Sequence, residues 1–214
     1  MALALLVFDC DGVILEDLDI KSKAFYRLGK EISQEAADRL LMYHRMHGGV
    51  SRYKKFEWLY EEFKGRSITD EEKEELNKKF VDAAFDEIVK SKLVPGVQQV
   101  LDTWKGRLPM YVASGAPEDE LRLVMEKRGL SGYFDGIYGS PAPKSQILRS
   151  IIQFTGIRSY NAVMIGDSRT DQYAAEAVGM RFYGRGEFFR HSGHPWHEDL
   201  TELNVYLEEV QAED

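Results

Sequence analysis

The sequence predicts an α/β fold: a parallel sheet of about five strands with helices on both faces, interrupted near its start by an inserted α-helical segment. Three observations carry that reading. From residue 96 onward, short apolar runs alternate with helix-periodic segments, the pattern of strands joined by right-handed helical crossovers. The first apolar run, residues 5–13 (LLVFDCDGV), ends abruptly in two carboxylates and a glycine, as a buried strand ends at a turn. Residues 17–92, lying between, are rich in charge and helix formers and hold no convincing strand.

The elements follow in order. Asp9 and Asp11 close the first strand. Side chains alternate along an extended chain, so the two acids project to one side and Cys10 to the other. A helix is expected over about 17–29. A second covers roughly 33–47, with Ser33 as N-cap and Gly48-Gly49 as its stop. A third starts at Ser51, aligns Phe56, Leu59, Tyr60 and Phe63 on one face and stops at Gly65. Thr69-x-x-Glu72 is a capping box, and Leu76, Phe80, Ala84 and Ile88 then recur every fourth position as one apolar stripe. Pro95-Gly96 marks the return to the sheet. The domain reading is a core of residues 1–15 and 95–214, with residues 16–94 as the helical insert.

In the second half, helix 96–104 leads to strand 108–113 (LPMYVA), which ends in Ser114-Gly115. Helix 117–128 opens on Pro117 and closes at Gly129. A strand over about 135–139 precedes the turn that carries Lys144, and a helix runs from there to about 155. Strand 161–165 ends at Gly166-Asp167, and helix 171–178 stops at Gly179. Residues 180–183 form the last strand expected, and residues 200–210 a closing helix. In parallel sheets of this kind ligands sit beyond the carboxyl ends of the strands. Asp9, Asp11, Ser114, Lys144 and Asp167 all fall there, although more than 150 positions separate the first from the last.

Bulk properties narrow the function. The chain has 214 residues and a net charge of −8, which argues against a general nucleic-acid binder. No apolar run approaches a membrane span. The first residues lack the basic start of a signal peptide. With Cys10 as the only cysteine, no internal disulfide can form, and a reducing, cytoplasmic setting is expected. Cys10 reads as a buried core residue and not as a reactive thiol.

Two acids held together at the end of a buried strand repel, and a bound divalent cation is the simplest offset. Carboxylates without Cys or a close His suit a hard, oxygen-loving ion, so Mg²⁺ is preferred over Zn²⁺. Ser114, the amides beside Gly115, Lys144 and Mg²⁺ together make a pocket for a tetrahedral anion. Two aspartates two residues apart can divide the work of nucleophile and acid/base. The reaction that fits is phosphoryl transfer by in-line attack.

These segments resemble the haloacid dehalogenase superfamily of hydrolases, in its phosphatase branch. FDCDGV is similar to the first motif of that family, VASGAP to the second, APKSQIL to the third and MIGDSRTD to the fourth. The resemblance covers nearly the whole chain and implies a Rossmann-like core with an inserted helical cap. It implies that Asp9 is the nucleophile, forming an aspartyl-phosphate, and that Asp11 protonates the leaving oxygen and then activates water. Ser114, Gly115 and Lys144 would hold the phosphoryl oxygens. Mg²⁺ would be bound by Asp9, the Asp11 backbone carbonyl and Asp167, with Asp171 either ligating it or supporting it through Lys144 or a water. Caps of this type close over the site and carry specificity.

The expected function is thus a Mg²⁺-dependent phosphatase acting on a small phosphorylated metabolite, as a monomer or homodimer. The alternatives are a phosphomutase of the β-phosphoglucomutase kind, using the same intermediate, and a non-catalytic regulatory relative. Arg52, at the start of the third insert helix, is the candidate to read the leaving group, against the plainer reading of a solvated basic helix start. A phosphonate hydrolase would need a cap lysine, but the sequence does not single out Lys54 or Lys55. The five histidines, His191, His194 and His197 among them, read as surface or interface residues and not as a zinc site.

Overall fold

The computed structural model describes residues 2–213. The sheet is built from β1 (Leu5–Phe8), β2 (Met110–Pro117), β3 (Gly136–Ser140), β4 (Ala162–Gly166), β5 (Arg181–Arg185) and β6 (Trp196–His197). All pairings are parallel, in the order β3-β2-β1-β4-β5-β6. The two-residue β6 extends the expected five strands. It lies in a Gly- and Pro-containing stretch whose composition reads as loop, and its partner β5 supplies the order.

β1 is the central strand, and its four residues are fully buried. Leu6, Phe8 and Cys10 face one core cluster, while Leu5 and Val7 face the other. This is the period-two pattern of a strand covered on both sides. From β1 the chain builds outward through β2 and β3 on one side and through β4, β5 and β6 on the other. The carboxyl end of β1 therefore sits at the switch point of the sheet, where neighbouring connections diverge and open a crevice.

Between β1 and β2 come four helices, α1 (Leu18–Lys30), α2 (Gln34–Met46), α3 (Arg52–Lys64) and α4 (Asp70–Lys90). Their caps are the expected ones. Ser33 accepts a hydrogen bond from the Ala36 amide at 3.0 Å. Thr69 and Glu72 form the complete capping box, and Gly65 ends α3 at a positive φ. The buried stripe of α4 is Leu76, Phe80, Ala84 and Ile88, and it packs with Phe25, Leu40, Phe56 and Leu59 into one cluster. The chain leaves the sheet and returns to it side by side: the Glu16 amide donates to the Lys92 carbonyl at 2.9 Å, and the Val94 amide to the Ile14 carbonyl at 3.1 Å.

The remaining helices are α5 (Val97–Trp104), α6 (Glu118–Lys127), α7 (Lys144–Thr155), α8 (Arg169–Glu176) and α9 (Leu203–Ala212). α8 starts two residues earlier than its sequence pattern predicts, because Ser168 caps it. α9 buries Leu203, Leu207 and Val210.

Candidate active site

The loop after β1 carries Asp9 into the interior, where it is 2% exposed. Its Oδ1 accepts the Cys10 amide at 2.7 Å, and its Oδ2 lies 2.9 Å from Lys144 Nζ. Lys144 is the first residue of α7 and is itself buried. It also pairs with Asp171 Oδ1. The other oxygen of Asp171 accepts from the Ser168 amide at 3.0 Å and from Ser168 Oγ at 2.6 Å. Asp171 thus caps α8 and anchors Lys144 with the same carboxylate.

Ser114 is the last buried residue of β2, 1% exposed, with its hydroxyl 3.5 Å from Asp11 Oδ2 and accepting the Ala116 amide at 3.1 Å. Gly115 forms part of the cavity wall. A Cβ there would run into the Gly49 carbonyl, so only glycine lets the α2–α3 loop descend this far. Gly12, at φ 72°, would likewise set a Cβ against the Asp167 carboxylate. Asp9, Asp11, Gly115 and Asp167 line one cavity of about 60 Å³. It adjoins a groove of about 880 Å³ whose wall also includes Leu18, His44, Gly48 and Asp167.

Burial dominates the charge states. It lifts the Asp9 carboxyl to about 7, with Lys144 opposing and Asp171 and Asp11 adding to the rise. Asp167 is raised by burial and then by Asp171 and Asp9. Asp11 goes the other way: burial would raise it, but the Lys21 charge and hydrogen bond, joined by Asp17 and Lys144, together outweigh burial and hold it at about 2. Lys144 is pushed up despite burial, chiefly by Asp171 and Asp9.

The donor set suits a hard divalent cation. Oxygens of Asp9, Asp167 and Asp171 come within 4.8 Å of one another, and no Cys or His belongs to the group. Asp9 and Asp167 carry the raised carboxyls that a cation would stabilise in their ionised form. Both oxygens of Asp171 are already engaged by Lys144 and Ser168, and the Asp11 carboxylate is engaged by Lys21.

Arg52 reaches the same cavity wall, but its guanidinium is committed. Nη1 donates to Glu120 Oε2 at 2.8 Å and to Asn77 Oδ1 at 2.9 Å, and Nη2 to Glu120 Oε1 at 2.6 Å. Its plane lies 3.9 Å from the Phe80 ring. It is 5% exposed, which overturns the reading of a solvated basic helix start. Thr170 Oγ1 adds a second tie from the core, donating to the Gly48 carbonyl at 2.6 Å.

Three groups in this chamber escape the motif reading. Lys21 of α1 pairs with Asp11 and, at 3.1 Å, with Asp17, whose own carboxyl is raised by burial and by Asp11. Lys55 of α3 and His44 of α2 are buried and bonded to each other at 2.9 Å. His44 is therefore not the surface residue expected. A local signal was present: Lys21 shares a stripe with Ala24, Phe25 and Leu28, and Lys55 with Phe56 and Leu59, so each is a lysine at a core position. Among the described residues no metal-binding group includes His191, His194 or His197. His194 meets Glu176 at 3.0 Å, and His197 meets the Tyr183 hydroxyl at 2.7 Å.

A family model of haloacid dehalogenase-like hydrolases matches residues 3–179. Phosphoglycolate phosphatase 1 of Pseudomonas aeruginosa is 28% identical over 144 residues, covering 64% of this chain and about half of that protein, 53%. Phosphoglycolate phosphatase of Pseudomonas putida is 23% identical over 215 residues, covering 97% of this chain and 77% of that protein. Among solved structures, β-phosphoglucomutase of Clostridium difficile has the same fold, with a TM-score of 0.79 and 22% identity, over 100% of this chain and 98% of that one. No described helix is long and apolar enough to cross a membrane. With the four motif segments gathered at one switch point and the family match spanning most of its length, the chain belongs to the haloacid dehalogenase-like hydrolases, and the relatives it resembles are phosphatases of that family.

Proposed function

We propose that the chain is a Mg²⁺-dependent phosphomonoesterase acting on a small phosphorylated metabolite through an aspartyl-phosphate at Asp9. The observation that carries the reading is the pairing of a buried carboxylate, Asp9, with a buried ammonium, Lys144, at 2.9 Å on the edge of a cavity of about 60 Å³. Lys144 orients Asp9 and favours its ionised form for attack, against the burial that raises it. An Asp9 oxygen forms the new bond to phosphorus as the ester oxygen leaves, and the leaving oxygen takes a proton from Asp11. Water then attacks phosphorus, gives its proton to Asp11 and releases Asp9.

Ser114 Oγ, the amide of Gly115 and Lys144 hold phosphoryl oxygens in both steps. Asp171 acts through Lys144, which it anchors. Asp9, the Asp11 carbonyl and Asp167 would hold Mg²⁺, which when bound neutralises phosphoryl charge. Asp11 has to alternate between ionised and protonated forms, and the Lys21 ammonium favours the ionised one. Withdrawal of Lys21 is the change that lets Asp11 carry a proton. Residues 16–94 serve as the cap, tied down over the core by Arg52–Glu120 and Thr170–Gly48.

The test is phosphate release from a panel of phosphomonoesters with Mg²⁺. Activity is expected in the wild type, none in Asp9→Asn, and none with EDTA. Release that survives Asp9→Asn would refute the assigned nucleophile.

A further inference from the structure

The cavity beside Asp9 has three cations in its wall, Lys21, Arg52 and Lys55. Two are neutralised: Lys21 by Asp11 and Asp17, and Arg52 by Glu120. Among the described residues no carboxylate pairs with Lys55. Its neighbour in sequence, Lys54, is exposed and meets Glu57 at 3.5 Å, whereas Lys55 is 3% exposed. An ammonium has three hydrogens to donate. One is spent on His44 Nδ1 at 2.9 Å, and Phe25 offers the ammonium only its ring face, 5.2 Å away. A buried cation with donors to spare and no counter-charge is costly unless a ligand completes it.

We propose that Lys55, held in place by His44, is a specificity-determining residue that binds a carboxylate on the leaving group of the phosphoester. The proposal rests on the phosphomonoesterase reading above. Lys55 and Asp9 line the same cavity, so one ligand can meet both, and a single unpaired ammonium matches the single negative charge of a carboxylate. His44 fixes the amine: its imidazole is kept neutral, held at about 3 by burial and by Lys55, and accepts at Nδ1.

Burial, followed by Lys21, lowers Lys55 to about 7. The groups that face it are His44 from α2, Lys21 from α1, Arg52 on its own helix, and Asp11 and Asp167 from the core loops. An arriving carboxylate favours the charged amine, so binding near neutral pH draws a proton onto Lys55.

The experiment compares kcat/KM for 2-phosphoglycolate and for 2-hydroxyethyl phosphate, which lacks the carboxylate. The wild type is expected to prefer the acid at least about tenfold, as a charge-assisted hydrogen bond allows. Lys55→Met is expected to cut that preference by about tenfold or more, and Lys55→Arg to keep most of it. A wild-type preference near unity, or one unchanged in Lys55→Met, overturns the proposal. Turnover of neither ester counts against the phosphomonoesterase reading, and calorimetry then decides on Lys55. In buffers of differing ionisation enthalpy, 2-phosphoglycolate should bind Asp9→Asn with proton uptake, and Asp9→Asn/Lys55→Met more weakly and without it. Absence of binding, or binding and uptake equal in the two variants, overturns the proposal.

Discussion

The contact between Arg52 and Glu120 admits a quantitative test of how the helical segment is held over the sheet. The two side chains are 5% and 14% exposed and share two hydrogen bonds of 2.6 and 2.8 Å. Asn77 takes a third bond and the Phe80 ring covers the guanidinium. Removing one member of such a pair strands the other charge where water is scarce, at a cost of about 3–5 kcal/mol. Glu120 keeps some solvent contact, so the lower end, about 3 kcal/mol, is expected for Arg52→Met. Glu120→Gln should cost about as much, because the guanidinium loses its counter-charge. The double variant should cost much less than the two added together, a coupling of about 2 kcal/mol. Urea unfolding followed by tryptophan fluorescence measures all three. If the pair is a latch, both single variants also lose kcat/KM together, because the segment no longer seats on the core. A coupling near zero, with activity lost in Arg52→Met and kept in Glu120→Gln, refutes the latch and gives Arg52 back to the substrate.

Two further predictions follow from the charge states. Burial raises the Asp9 carboxyl from 3.8 to about 7, so the metal-free fold binds a proton that the unfolded chain releases, and its stability falls as pH rises from about 4 to about 7. Mg²⁺ should therefore raise Tm more at about pH 8 than at about pH 5, reaching about 2.7 kcal/mol at a hundredfold excess over Kd; an equal shift at both pH values in a thermal scan contradicts the assignment. The Asp11 carboxyl is depressed to about 2 by Lys21, so their pairing adds stability above about pH 4 that is lost as pH falls toward about 2. Lys21→Met should cost about 3 kcal/mol at neutral pH, with a penalty that shrinks across that acid window in urea titrations; a penalty independent of pH refutes the pairing.

The sheet and the acid cluster were legible in the sequence for local reasons. Leu5, Leu6, Val7 and Phe8 form an unbroken apolar run because β1 is covered on both faces. Asp9, Ser114, Lys144 and Asp167 were placed because each follows a strand or opens the helix after one, and strand ends in such a sheet share one edge. Of the cations that the helical segment brings to the same chamber, Arg52 was a candidate from the sequence but its counter-charge was not foreseen, and Lys21 and Lys55 were not singled out, because their partners are non-local. Arg52 meets Glu120 across 68 residues of sequence, and His44 meets Lys55 from a different helix. Helical periodicity reports which face is buried and says nothing of what that face meets.

These hidden cations bear on the chemistry as well as on the packing. Asp9, Asp11, Asp17, Asp167 and Asp171 crowd one chamber, and Lys21, Lys55 and Lys144 are the lysines that face them. Lys144 and Lys21 divide the acids into two groups. Lys144 holds Asp9 and Asp171 on the sheet side, where the proposed nucleophile must stay fixed. Lys21 holds Asp11 and Asp17 from a helix of the segment between β1 and β2, so the protonation of Asp11 is tied to where that helix sits. A helix that moves with substrate entry would then set the acid form of Asp11 at the moment the site closes, while Asp9 would keep its pairing with Lys144 on the sheet side. In this arrangement the carboxyls of the two aspartates of FDCDGV, two residues apart, shift in opposite directions, and different parts of the fold hold their counter-charges.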